Sequence, residues 1–295
     1  MIFKKIFYPA FAIFCLLSIN VNNANATSVR ATWMYNFTVL DNTSTINKLA
    51  ALGINRVYLG VSAKRLLPNG SHASAAYTDK LKQFVSLATE KNIQIHAMTL
   101  MGNTFFLSSN HAKSENMISW IGDYQGNASV SEQFSGIHID TEPHTLTEWK
   151  NAKRAGDWNA VESLMAQYVA LLSKLEPIIH GFDTNLEFSA AIQWKYNEWA
   201  EQGLLPSGDA GLLATYLDTL VPMVYGTDSI FKIQQRSEDE FSKAQTVVGI
   251  DVKSFANYSD ILYVQKTLDY HNRHNKKYLG TSAHYFSTLY KKSQE

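Results

Sequence analysis

Phe134-Ser135-Gly136-Ile137-His138-Ile139-Asp140-Thr141-Glu142-Pro143-His144 has the alternation of a strand with two acids near its end. Successive side chains of a strand point to opposite faces, so Ile137, Ile139 and Thr141 share one face and His138, Asp140 and Glu142 the other. An apolar face for helices and a titratable face for an interior is the pattern of a barrel strand. Pro143 ends the run and leaves two carboxyl groups at its C-terminal end. In a (β/α)₈ barrel that end carries the chemistry. Two acids side by side at a buried position are costly unless hydrogen-bonded or protonated, which marks them as a candidate site.

On either side of this stretch the chain repeats a strand–helix alternation, eight times in all. The other strand candidates are 29–35, 55–61, 93–100, 187–193, 219–225, 246–251 and 278–284. Helical patterns lie between them. Residues 43–52 run up to Gly53, a suitable C′ glycine. Thr78 is the expected cap of 79–91, Ser114 of a helix through Tyr124, and Asp157 of the longest helix. Residues 196–202, 210–216, 238–244, 259–274 and a stub at 288–292 complete the set. Each helix supplies a crossover, so the strands are expected to be parallel. No Gly-x-Gly-x-x-Gly turn follows the first strand, as an open dinucleotide-binding sheet would require. The expectation is a single (β/α)₈ TIM barrel over residues 27–295.

The first 26 residues read as a secretory signal peptide. Lys4 and Lys5 precede an apolar run from Ile6 to Ile19, and Ala24-Asn25-Ala26 is a small-residue cleavage site. A secreted or periplasmic protein with no membrane attachment after cleavage is expected. Cys15, the single cysteine, leaves with the signal, so the barrel would stand without disulfides. Lys plus Arg and Asp plus Glu are 26 each, a balance that gives no reason to expect nucleic acid as a partner. A monomer with no cofactor is expected.

Other strand ends carry groups suited to a polyhydroxylated ligand: Trp33 and Tyr35, Asn103, Gln193 and Trp194, Tyr225, Asp251, and His284 with Tyr285. Carbohydrate sites combine aromatic faces with carboxylates and amides. His138 and His144 join this set as substrate-binding candidates. Structural alternatives stand beside these readings. In these, Asp140 and Glu142 are a hydrogen-bonded structural pair, His138 is a satisfied core histidine, Asp251 a helix cap, and Trp33, Tyr35 and Trp194 packing residues. His138, Asp140, His144 and His284 would also supply donors to a metal. The first strand, Arg30-Ala31-Thr32-Trp33, lacks the His-x-His of metal-dependent barrel hydrolases, so no metal is expected.

The 134–142 stretch resembles a degraded form of the fourth-strand signature of glycoside hydrolase family 18, the chitinase-like barrels. Asp140 and Glu142 match its terminal Asp-x-Glu, while Ser135 and His138 stand where that family has aspartate. Met223-Val224-Tyr225 is similar to its sixth-strand Met-x-Tyr, and His284-Tyr285 replaces its late tryptophan. A closer likeness is to uncharacterised secreted bacterial hydrolase-like barrels with a Gly-Ile-His-x-Asp-x-Glu-Pro strand and a late His-x-Tyr/Phe end. The resemblance implies a carbohydrate substrate and Glu142 as the general acid. Asp140 would raise the Glu142 pKa and orient an acetamido nucleophile of the substrate, and Tyr225 would hydrogen-bond that group. A protonated His138 would hold Asp140 ionised.

Thr141-Glu142-Pro143 is also similar to the Asn-Glu-Pro of the large clan of retaining glycosidases. That likeness implies Asp251, at the end of the seventh strand, as a nucleophile facing Glu142. A carbohydrate-binding barrel without catalysis, as in chitinase-like lectins, is the alternative from another class.

Overall fold

The computed structural model describes residues 28–37, 41–63 and 75–295. The expected signal peptide, residues 1–26, lies outside the described residues. Eight parallel strands pair in chain order and close into a barrel, as the alternation predicts. They are β1 (Val29–Met34), β2 (Arg56–Gly60), β3 (Gln94–Gly102), β4 (Gly136–Thr141), β5 (Glu187–Gln193), β6 (Thr219–Val224), β7 (Thr246–Asp251) and β8 (Tyr278–His284). The barrel closes where Val29–Thr32 of β1 pair with Gly280–Ala283 of β8.

The helices described between the strands are α1 (Asn42–Ala51), α2 (Ala75–Glu90), α3 (His111–Gly126), α4 (Thr147–Ala155), α5 (Trp158–Phe182), α6 (Lys195–Glu201), α7 (Ala210–Leu213), α8 (Ile230–Lys243), α9 (Tyr258–Asn272) and α10 (Phe286–Ser293). Asp157 caps α5 by accepting the Ala160 N–H at 3.0 Å, and Gly53 follows α1 at φ +68°. Several starts differ from expectation. Thr78 and Ser114 lie inside α2 and α3 rather than capping them. Helix α8 begins two turns before residue 238, where the Ser229 side chain accepts from Lys232 N–H. Helix α4 was not expected, because Trp149 is its one buried residue and no apolar stripe announces it.

Two apolar layers follow from the alternation. The isoleucines of β4, Ile137 and Ile139, pack outward against the helices, together with Leu171 and Leu172 of α5. The inward row builds a smaller core of Ala31, Trp33, Tyr58, Met98, Val221 and Val247. At the barrel floor Arg56 forms a two-pronged ion pair with Glu187, at 2.8 and 2.9 Å. Gln94 Oε1 accepts from the same guanidinium. Breaking such a pair by removing one partner costs about 3–5 kcal/mol, because a buried charge is left uncompensated. The ion pair and the aromatic layer fill the barrel below β4's last two inward positions.

Candidate active site

The inward row of β4 descends from the rim to the core. Glu142 stands just past the strand with about 30% of its side chain exposed, Asp140 is 9% exposed, and His138 is closed to solvent. The end of β4 is held by an irregularity in its neighbour. The β3–β4 register shifts between Thr99 and Gly102, where Leu100 takes φ +50° and Gly102 φ +139°. The Thr141 hydroxyl donates to Leu100 O at 2.7 Å and the Glu142 N–H to Gly102 O at 3.1 Å. Left-handed backbone at a leucine costs on the order of 1–3 kcal/mol, and bulges that re-aim a strand cluster at active sites.

Burial sets the protonation of this row. Asp140 is pushed up to about 7, first by desolvation and then by the Glu142 charge. Glu142 is also raised by desolvation, with Lys150 of α4 opposing the shift. The two acids are thus a coupled pair that retains a proton toward neutral pH. His138 is pulled down to about 3 by burial and by Arg56 below it. Its ring stacks on Tyr58 at 4.0 Å and its Nδ1 meets Ser189 Oγ at 2.9 Å. A neutral, enclosed His138 cannot hold Asp140 ionised or reach a ligand. This departs from both expectations for His138; the core reading describes its burial, although its Nε2 is left without a hydrogen-bond partner.

Aromatic groups from β1, β6 and β8 gather at the same mouth. The Tyr35 hydroxyl lies 3.1 Å from His284 Nε2, and Tyr225 stacks on His284 at 5.0 Å. Tyr285 meets Tyr35 edge-on at 6.2 Å, and the His284–Tyr285 peptide bond is cis. Burial raises the pKa of both Tyr35 and Tyr225, and the Asp140 and Glu142 charges raise them further, so both phenols stay protonated as donors. His284 is lowered by burial, against the pull of Asp251, and stays neutral. Beside Tyr35 a cleft of about 400 Å³ opens between the ends of β2 and β3, lined by Val61, Met101 and Phe105 among others.

Other candidates fall elsewhere. Trp33 is 1% exposed and packs between Tyr58 and His284, so it forms the floor of the mouth and offers no stacking face. Trp194 turns away toward α8, with the Arg236 guanidinium 4.7 Å from its ring, while Arg236 also donates to Tyr225 O at 3.2 Å. Asp251 Oδ1 accepts the Lys253 N–H at 3.0 Å, and Ser254 Oγ lies 3.5 Å from its other oxygen. The capping alternative describes these Asp251 contacts. Gln193 and Asn103 are half-buried near the ends of β5 and β3. Among the described residues no three His, Cys, Asp or Glu side chains come together as a metal site.

Two residues near Glu142 escaped the sequence reading. Lys150 sits on the unforeseen helix α4. Tyr196, in the first turn of α6, is buried and holds His144: its Oη accepts the His144 N–H at 3.3 Å and lies 3.1 Å from Nδ1. The signal for Tyr196 was its place three residues after β5, the strand beside β4.

No protein-family model and no curated sequence matches the chain. Similar solved structures share the barrel. The exo-beta-1,4-mannosidase Op5Man5 from Opitutaceae bacterium strain TAV5 aligns at TM-score 0.56 and 10% identity, over 87% of this chain and 51% of that one. A family 39 glycoside hydrolase from Bacteroides cellulosilyticus WH2 aligns at 0.55 and 10% identity, over 89% and 57%. The chain therefore spans about half the length of these two enzymes. The xylanase-A-amylase inhibitor protein XAIP-III aligns at 0.53 and 13% identity, over 90% of this chain and 96% of that one. At such identities the likeness is one of fold.

Proposed function

We propose that the chain is an exported glycoside hydrolase acting on an oligo- or polysaccharide, with Glu142 as general acid and Asp140 as its coupled partner. The observation that carries this reading is the pair of acids with raised pKa values at the barrel mouth, met by two protonated phenols and a neutral histidine. Glu142 stands at the rim, within reach of a bound glycan. A docked sugar would displace water from it and raise its pKa further. Its proton then passes to the glycosidic oxygen as the bond from that oxygen to the anomeric carbon breaks. Tyr225, protonated at the mouth, would donate to a sugar substituent. The cap contacts of Asp251 weigh against its use as nucleophile and favour a substrate acetamido group or a water in that role. The likeness to the mannosidase and the family 39 enzyme supports the same class.

The test is release of reducing ends from a panel of N-acetylated and neutral glycans. Glu142→Gln is expected to lower turnover by roughly 10²–10⁴-fold with binding retained, the usual worth of general acid help. Equal turnover by both proteins on a substrate with a poor leaving group would remove Glu142 from the role. The likeness to XAIP-III favours a second reading, a glycan- or protein-binding barrel without catalysis. Binding without hydrolysis across the panel, unchanged in Glu142→Gln, would select it.

A further inference from the structure

We infer that Tyr196 and His144 form a positioning relay for Glu142, in which the buried phenol fixes the imidazole as the Nε2–H tautomer and aims that N–H at the carboxylate. The turn Pro143–Thr145 directly follows Glu142. The Thr145 hydroxyl donates to Glu142 O at 2.9 Å and the Leu146 N–H to Pro143 O at 3.0 Å, closing the turn. It folds the His144 ring back beside the acid, with Nε2 3.8 Å from Glu142 Oε2. At that separation the contact is a charge–dipole one, weaker than a hydrogen bond.

Donor and acceptor counting fixes the tautomer. The Tyr196 Oη has one hydrogen, and its neighbours are the His144 backbone N–H and the His144 Nδ1. A backbone N–H only donates, so the phenol accepts there. Its own hydrogen then goes to Nδ1, since a buried hydroxyl proton without an acceptor costs about 1–3 kcal/mol. The nearby Tyr168 hydroxyl is buried without a hydrogen-bond partner and does not take that proton. Nδ1 is therefore an acceptor and Nε2 bears the hydrogen. Trp149 packs 5.7 Å from the Tyr196 ring and keeps it in place.

The charges around the relay agree. Glu142 faces His144 from β4's end, Lys150 and Lys153 from α4, and Tyr196 from α6. Burial and the two lysines pull His144 down to about 4, so it is neutral over the working range. The dipole of a neutral Nε2–H turned toward one carboxylate oxygen favours the ionised form of Glu142 and leaves the other oxygen for the ligand. The relay thus offsets part of the desolvation that raises Glu142, and it fixes which oxygen faces the mouth.

The relay itself needs no substrate; its catalytic meaning rests on the glycosidase reading. The experiment is a ligand-free titration of the full-length protein by NMR. Long-range ¹H–¹⁵N correlations of His144 are expected to show the Nε2–H tautomer from pH 5 to 9. The side-chain ¹³C midpoint of Glu142 should rise by about half a unit or more in His144→Phe and in Tyr196→Phe. His144→Gln, which returns an N–H donor, should restore it. An Nδ1–H tautomer in the wild type, or an unmoved Glu142 midpoint in folded His144→Phe, would overturn the relay. The wild-type tautomer decides the matter even if the variants fail to fold. A glycan panel without hydrolysis would count against the glycosidase reading alone.

Discussion

The Tyr35 hydroxyl reaches His284 Nε2 at 3.1 Å, tying the end of β1 to the end of β8 across the seam where the barrel closes. Tyr35 is 42% exposed, so this bond is in contact with water and its net worth is about 0.5–1.5 kcal/mol. Tyr35→Phe and His284→Phe should each lower stability in urea unfolding by no more than that. Because each change removes the same bond, the double variant should cost less than the two losses added. Simple additivity would show that the pair is a coincidence of position.

Asp140 gives a pH signature of the site. Its folded pKa of about 7 lies above the ordinary aspartate value, so the protonated form is the one that folding favours. Its contribution is fully present below about pH 4. It is lost as pH rises, because the unfolded chain gives up this proton first. Asp140→Asn removes the titration. The variant should match the wild type at pH 4 and gain on it by up to about 1.4 kcal/mol per pH unit toward pH 7. Thermal melts across that range would check this, and a pH-independent difference would mean that Asp140 titrates normally.

The barrel was legible because its signals are local. Eight β-rich runs separated by helical stretches give the strands nearly to the residue, and the period-2 alternation in β4 gives the direction of Asp140 and Glu142. Depth along that row was not legible. Nothing in the sequence says that Tyr58 stacks on His138, or that Arg56, distant in the chain, lies below it and lowers its pKa. Tyr196 has the same limitation, since a phenol in the first turn of a helix reads as core until its neighbour is known. Helix α8 is longer than its apolar pattern suggests, because its buried face mixes Ile233 and Phe241 with Ser237 and Glu240.

Asp251 separates cap from nucleophile. Its side chain starts the turn 252–254, and asparagine caps such turns about as well. Asp251→Ala should therefore lose about 1 kcal/mol of stability, and Asp251→Asn almost none, with turnover kept in both. If Asp251→Asn were stable but inactive, and Asp251→Gly regained turnover with azide, the carboxylate would be the nucleophile after all.

Glu240 on α8 is a buried acid outside the barrel mouth, 1% exposed, with neither carboxylate oxygen hydrogen-bonded to another residue. Burial is the main cause that pushes it up to about 8, its own backbone N–H opposes the shift, and Asp239 and Glu201 add to it. Lys243 opposes it weakly, because its ammonium is already shared by Asn197, Glu201 and Asp209 at 2.9–3.1 Å. The sign follows as for Asp140. The unfolded chain releases this proton from about pH 4.5, whereas the folded chain keeps it to about 8, so stability falls through that window. Glu240→Gln keeps the shape and removes the charge. It should equal the wild type near pH 4 and exceed it by about 2–4 kcal/mol at pH 8. Asp140 titrates in an overlapping range but is present in both proteins, so it cancels when they are compared at each pH. Urea unfolding at pH 4, 6 and 8 would show the gap widening, and a constant gap would mean that Glu240 is charged and solvated in the folded protein.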